Sequence, residues 1–158
     1  MVKVLFVCMG NICRSPMGQG VFEKLVEEAG LSDRIEVDSA GTHTYHVGEP
    51  PDPRALAAAQ KRGYSLHTQR ARRVTEADIE RFDYIVVMDY DNLSHLRQIC
   101  PPGEEQKLGL FMEYAEDLTV REVPDPYYGA RSGFDRVLDL VEEAARGLLE
   151  EIRTQRDL

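Results

Sequence analysis

A chain of 158 residues, 42% hydrophobic and 30% charged, fits one globular domain and excludes a disordered or low-complexity protein. Its net charge of −9, from 19 basic and 28 acidic side chains, argues against nucleic acid or an anionic membrane as partner, because the long-range field repels both. Three cysteines, no secretory h-region and no run long enough to span a membrane point to the reducing cytoplasm and not to a disulfide scaffold.

Residues 2–7 form a short, nearly continuous apolar run, predicted to be a strand buried on both faces. A loop from Cys8 to Ser15 follows, and Pro16 opens a helical pattern in which Val21, Phe22, Leu25, Val26 and Ala29 share one face; Gly30 stops it. Ile35 and Val37 alternate with polar residues in a second strand that ends near Ser39. Asp52-Pro53 reads as N-cap and first position of a helix stopped by Gly63, and Thr75 with Asp78 as the capping box of a short helix. Residues 84–88 form the clearest later strand. Asp91 is then expected to cap a helix ending at Cys100-Pro101-Pro102-Gly103, with a weak strand near 107–110. After an irregular stretch, Phe134, Val137, Leu138, Val141, Ala145, Leu148 and Ile152 mark a final amphipathic helix.

Strands alternating with helices imply an α/β fold of three layers, a parallel sheet with right-handed crossovers and helices on both faces. Ligand sites in such folds gather at the carboxyl ends of the strands, where Cys8 and Ser39 are expected. The connection over 110–129 is long for a compact domain, and such loops usually carry function.

The first loop reads Cys8-Met9-Gly10-Asn11-Ile12-Cys13-Arg14-Ser15-Pro16. A loop between a strand and a helix N-terminus turns successive backbone N–H groups inward as an anion nest, with the helix dipole adding positive potential. Gly10 can adopt positive φ without strain, and Asn11 tolerates it better than most residues. Arg14 supplies a planar fork for two phosphate oxygens. These surroundings favour the thiolate of Cys8, to which Ser15 can donate a hydrogen bond. Together they suit attack on a phosphate monoester, which needs a nucleophile, donors for the equatorial oxygens and a proton for the leaving group.

The run Val7-Cys-Met-Gly-Asn-Ile-Cys-Arg-Ser-Pro-Met17 resembles the signature of the low-molecular-weight protein tyrosine phosphatases. The resemblance extends through Asp38-Ser-Ala-Gly-Thr42, Gly48-Glu-Pro-Pro-Asp-Pro-Arg54, Ala71-Arg72, Phe82-Asp-Tyr-Ile-Val-Val-Met-Asp89 and Pro124-Asp-Pro-Tyr-Tyr-Gly129. It implies a single domain over 1–158, a four-stranded parallel sheet, and hydrolysis of phosphotyrosine and aryl phosphates through a cysteinyl-phosphate, without metal or cofactor. It assigns the nucleophile to Cys8, the phosphate grip to Arg14 and the general acid to Asp125. On its own chemistry Asp125 suits that role: Pro124 and Pro126 restrict its backbone, and Tyr127 and Tyr128 can shield the carboxyl from water. By the same resemblance Ser39 and Asn11 hydrogen-bond to each other and support the loop, while Met9, Ile12, Tyr45 and Tyr128 line the substrate cleft. The expected partners are phosphotyrosine-containing proteins or peptides, with a cognate tyrosine kinase as a further candidate.

Many relatives carry a histidine where Gln69 stands. Gln69 can replace its hydrogen bonds but not its change of charge, and His67, two residues earlier, receives no catalytic role. His43, His46 and His95 are expected on loop or helix surfaces, and no histidine spacing suggests a metal site. Cys13 can trap an oxidised Cys8 as a disulfide, as the resemblance suggests, or simply fill space under the loop. Arsenate reductases share the loop but relay oxidation to further cysteines, absent here from 88–95. Protein-arginine phosphatases place Thr where Ile12 stands, so bulky Ile12 favours a flat phenyl ring.

Overall fold

The computed structural model describes residues 1–130 and 132–158. Four strands, β1 (Val2–Cys8), β2 (Ile35–Gly41), β3 (Tyr84–Val87) and β4 (Leu108–Leu110), form one parallel sheet in the order β2-β1-β3-β4. The helices are α1 (Arg14–Glu28), α2 (Pro53–Lys61), α3 (Glu76–Arg81), α4 (Tyr90–Ile99) and α5 (Ser132–Gln155). Period-two alternation along β1 sends Val4 and Phe6 into a core shared with α1, α2 and α5, and Leu5 and Val7 into a second core under α3 and α4. Helices thus cover both faces, as the alternation of elements predicts. Cys8 follows Phe6 onto the α1 side.

The helix boundaries follow local chemistry. Gly30 is left-handed (φ 72°) beyond α1, and Gly63 (φ 87°) beyond α2. Asp52 caps α2 by accepting from the Arg54 N–H, and Thr75 with Asp78 closes the predicted capping box on α3. At α5, Gly147 lets the helix approach a 3₁₀ turn, Phe111–Tyr114, so closely that a Cβ would sit 1.8 Å from the Tyr114 carbonyl oxygen.

Four expectations need correction. Asp89, not Asp91, caps α4: its Oδ1 accepts from the Asn92 N–H at 2.8 Å, while Asp91 lies in the first turn. The third strand stops at Val87, because the Met88 carbonyl is already taken by the Val123 N–H. The second strand continues past Ser39 to Gly41, whose partner on β1 is Cys8. Helix α1 begins at Arg14 and not at Pro16; proline is harmless there because its missing N–H lies in the first turn.

Candidate active site

The loop between β1 and α1 wraps around the Cys8 sulfur. Its carbonyls are bonded away from that sulfur: Cys8, Met9 and Ile12 accept from the N–H groups of Thr42, His43 and Asp52 at 2.8–3.0 Å. The first turn of α1 has no acidic side chain, and its N-cap, Cys13, makes no side-chain capping bond. The helix therefore leaves its first N–H groups without a capping side chain of its own at the loop.

Cys8 is 2% exposed and receives the Asn11 N–H at 3.3 Å, with Ser15 Oγ at 3.0 Å. The neighbours of Ser15 bear on this contact. Asn11 Oδ1 accepts from the Arg72 N–H at 3.0 Å, which leaves Nδ2 to donate to Ser15 Oγ at 2.8 Å and Ser39 Oγ at 3.0 Å. Accepting from Asn11 leaves the Ser15 hydroxyl proton available to the Cys8 sulfur. Ser39 in turn donates to Gln19 Oε1 at 2.7 Å. Asn11, and not Gly10, takes the left-handed backbone conformation (φ 58°). Gly10 serves another need: a Cβ there would press on the His46 ring at 3.1 Å. Gly41 is required by approach as well, since its Cβ would stand 2.8 Å from the Met9 carbonyl oxygen.

Arg14 is buried, and its Nη1 donates to Asp89 Oδ2 at 2.6 Å and to the Val123 carbonyl at 2.9 Å. Its Nη2 stands 3.7 Å from Asp125 Oδ2. Burial works against its charge, but the negative groups around it, Cys8, Asp89 and Asp125, hold the guanidinium above its ordinary value. Cys13 lies in the opposite environment. Burial pushes its thiol up and nearby Asp52 pushes the same way, so it stays neutral where enzymes work. All three cysteines are unpaired.

Met9, Gly10, Ile12, Tyr45, Tyr127 and Tyr128 wall a cleft of about 250 Å³, with Cys8, Cys13 and Arg14 at its floor and Asp125 and His46 at its side. The structure thus brings Cys8, Met9, Gly10, Ile12, Cys13, Arg14, Tyr45, Asp125, Tyr127 and Tyr128 to one opening, with Asn11, Ser15 and Ser39 bonded beneath it. Shielding of Asp125 by both tyrosines is not found. Its side chain is 32% exposed and Tyr128 is 85% exposed, because Tyr127 turns toward His46 and Arg54 while Tyr128 projects outward. Asp125 Oδ1 accepts the Tyr127 N–H at 3.0 Å.

Three contributors escape the sequence reading: Asp89, which anchors Arg14; His46, which lines the cleft; and Gln19, which takes the Ser39 proton. For Asp89 the signal was present, an acid directly after an apolar strand on the rim where sites gather. Gln69 Nε2 donates to the Pro16 carbonyl at 3.0 Å and its Oε1 lies 3.5 Å from Ser39, whereas His67 bonds Ser65 on the surface. No cluster of three or more metal-binding side chains occurs among the described residues. Chemically, the cleft offers a sulfur held by donors, a fixed guanidinium and a carboxyl in one opening sized for a ring.

A family model described as low molecular weight phosphotyrosine protein phosphatase matches residues 3–158. A curated protein of that name from Schizosaccharomyces pombe is 46% identical over 144 residues, covering 89% of this chain and 91% of its own. A low molecular weight protein-tyrosine-phosphatase of Bacillus subtilis is 37% identical over 158 residues and covers all of both chains. Among solved structures, a protein tyrosine phosphatase from Entamoeba histolytica superposes with a TM-score of 0.95 at 38% identity, over 99% of each chain.

Proposed function

Because the chain belongs to the low molecular weight phosphotyrosine protein phosphatase family, and is therefore a cysteine-dependent protein-tyrosine phosphatase, we propose how its own residues divide the work. Cys8 attacks the phosphorus of phosphotyrosine, and an S–P bond forms as the P–O bond to the phenol breaks. Asp125 gives its proton to the departing phenolate oxygen; the same carboxylate then takes a proton from the water that cleaves the S–P bond, releasing inorganic phosphate and the thiolate. The edge of Arg14 not committed to Asp89 and Val123 grips the equatorial oxygens together with the loop amides. The substrate ring, seated between Ile12, Tyr45 and Tyr128, completes the burial that the free Asp125 lacks. Charge stabilisation in this scheme comes from Arg14, the amides and the α1 terminus, so turnover is expected to persist in EDTA.

One observation carries the assignment: the Cys8 sulfur receives a main-chain amide and lies 3.0 Å from the Ser15 hydroxyl, beside an arginine anchored from two sides. Phosphotyrosine-bearing proteins or peptides are the proposed substrates, a cognate tyrosine kinase among the candidates, in the cytoplasm and apart from nucleic acid and membranes. Among the described residues no helix is long and apolar enough to cross a membrane.

Alkylation with iodoacetate tests this reading. Cys8 is expected to be carboxymethylated first, with inorganic phosphate protecting it, while neutral Cys13 reacts slowly whether phosphate is present or not. Cys8→Ser is expected to lose at least about 10³-fold in kcat. Preferential reaction at Cys13, or no protection by phosphate, would remove Cys8 from the nucleophile's place.

A further inference from the structure

Residues 124–130, which carry Asp125, contain no helix or strand. Something outside the segment must fix the carboxyl if it is to transfer a proton repeatedly from one position. Val123 is secured on the near side, through Met88 and Arg14. Beyond it, among the described residues, one hydrogen bond ties 124–130 to an earlier part of the chain. Arg54 Nη2 donates to the Tyr127 carbonyl at 3.0 Å.

Arg54 is well placed to hold that peptide. Its Nε and Nη2 grip the two oxygens of Asp52 at 3.1 and 2.9 Å, and its guanidinium lies over the rings of Tyr127 and Phe134, 5.5 and 4.8 Å from their centroids. Asp52 is 8% exposed, and its own N–H donates to the Ile12 carbonyl at 2.8 Å. The Tyr127 N–H closes on Asp125 at 3.0 Å. A continuous path therefore runs from the Cys8 loop through Asp52, Arg54 and the main chain on either side of the Tyr127 Cα to the Asp125 carboxyl. Arg54 is the second residue of α2, where a cation opposes the helix dipole, so the helix alone gives no reason for arginine at this position. A planar fork holds both carboxylate oxygens of Asp52 while reaching the carbonyl; a lysine ammonium would keep the charge but not that bidentate geometry.

We propose that Arg54 is a positioning residue for proton transfer, clamping the Tyr127 peptide, and through it Asp125, at a fixed place relative to the Cys8 loop. This rests on Asp125 acting as the acid. Arg54 touches neither the phosphate nor the leaving group in this role. Its loss therefore affects substrates according to their need for a proton.

The test compares wild type, Arg54→Met, Asp125→Ala and the double variant on phenyl phosphate, a poor leaving group, and p-nitrophenyl phosphate, a good one, reading kcat/KM and the melting temperature. Arg54→Met is expected to slow phenyl phosphate about tenfold and p-nitrophenyl phosphate less than about threefold, a discrimination that a general loss of stability would not produce. In the Asp125→Ala background it is expected to add nothing to that discrimination. If Arg54→Met does not fold, Arg54→Lys replaces it with the same expectation, since it keeps the charge beside Asp52. Equal slowing of both substrates by the Arg54 variant, or an undiminished effect once Asp125 is gone, overturns the positioning role and leaves Asp125 as the acid. Equal slowing by Asp125→Ala itself removes the acid assignment, and the role of Arg54 falls with it.

Discussion

Asn11 concentrates several demands in one side chain. Its amide donates to Ser15 and Ser39, its carbonyl oxygen holds the Arg72 N–H, and its backbone is left-handed. Alanine would lose three buried hydrogen bonds and retain the strain, so Asn11→Ala is expected to destabilise the fold by about 2 kcal/mol or more. Asn11→Gly relieves the left-handed strain and should recover about 1 kcal/mol of that in urea unfolding. Both variants are expected to lose at least about tenfold in kcat/KM, because neither directs the Ser15 proton toward Cys8. Recovery of activity in the glycine variant would show that backbone shape alone supports the thiol. At this scale the sequence was informative where one residue type answers one need. Cys8 and Arg14 stand out because a thiol after a buried strand and a planar fork at the next helix are distinct chemistries, whereas Asp125 is assigned only through the family resemblance. Gly10 and Asn11 look alike in the sequence, since both tolerate positive φ, and only the fold shows that Asn11 adopts it while Gly10 makes room for His46. Gln19 and His46 gave no signal, because a glutamine on a helix and a histidine in a loop are ordinary surface residues until the sheet brings them to the rim.

Elements were legible to the extent that their signals were local. Apolar periodicity marked α5, and the Thr75–Asp78 box marked α3, because both depend on residues within a few positions of one another. The cap of α4 was misplaced by two residues since Asp89 and Asp91 are equally good caps by type. What decides is that Asp89 also holds Arg14, a contact from 75 residues away that no local pattern carries. The docking of α5 was likewise invisible. Gly147 looks like a weak point in a helix, with a propensity cost of about 1 kcal/mol against alanine. The structure reverses that reading, because the missing side chain is what admits the Tyr114 carbonyl. Gly147→Ala is therefore expected to lower stability despite the better helix propensity, by about 1–3 kcal/mol, as a drop of several degrees in Tm by circular dichroism. A rise in Tm would mean that the turn at Phe111–Tyr114 yields easily to the helix.

Across the whole molecule, the parallel sheet followed from alternating elements, whereas β4 has only three residues and owes its place to pairing with β3. The charge balance makes a prediction at this scale. With a net charge of −9, the distant field opposes the phosphate that Arg14 is proposed to grip locally. Phosphotyrosine peptides with acidic flanks should therefore be disfavoured at low salt relative to basic-flanked ones. That gap in kcat/KM is expected to narrow several-fold between about 20 and 300 mM salt as the Debye length shrinks. A gap that stays constant would assign the preference to contacts inside the cleft. The covering of α1 by α5 has a consequence for how activity arises during synthesis. Phe22 and Val26, on the helix that begins at the thiol loop, share a core with Leu148 and Ile152 near the other end of the polypeptide. During synthesis the Cys8 loop is therefore made first, Asp125 later, and the buttress for α1 only once α5 has followed. A product interrupted before α5 is then expected to hold Cys8 and Arg14 on a helix whose apolar face has lost its cover.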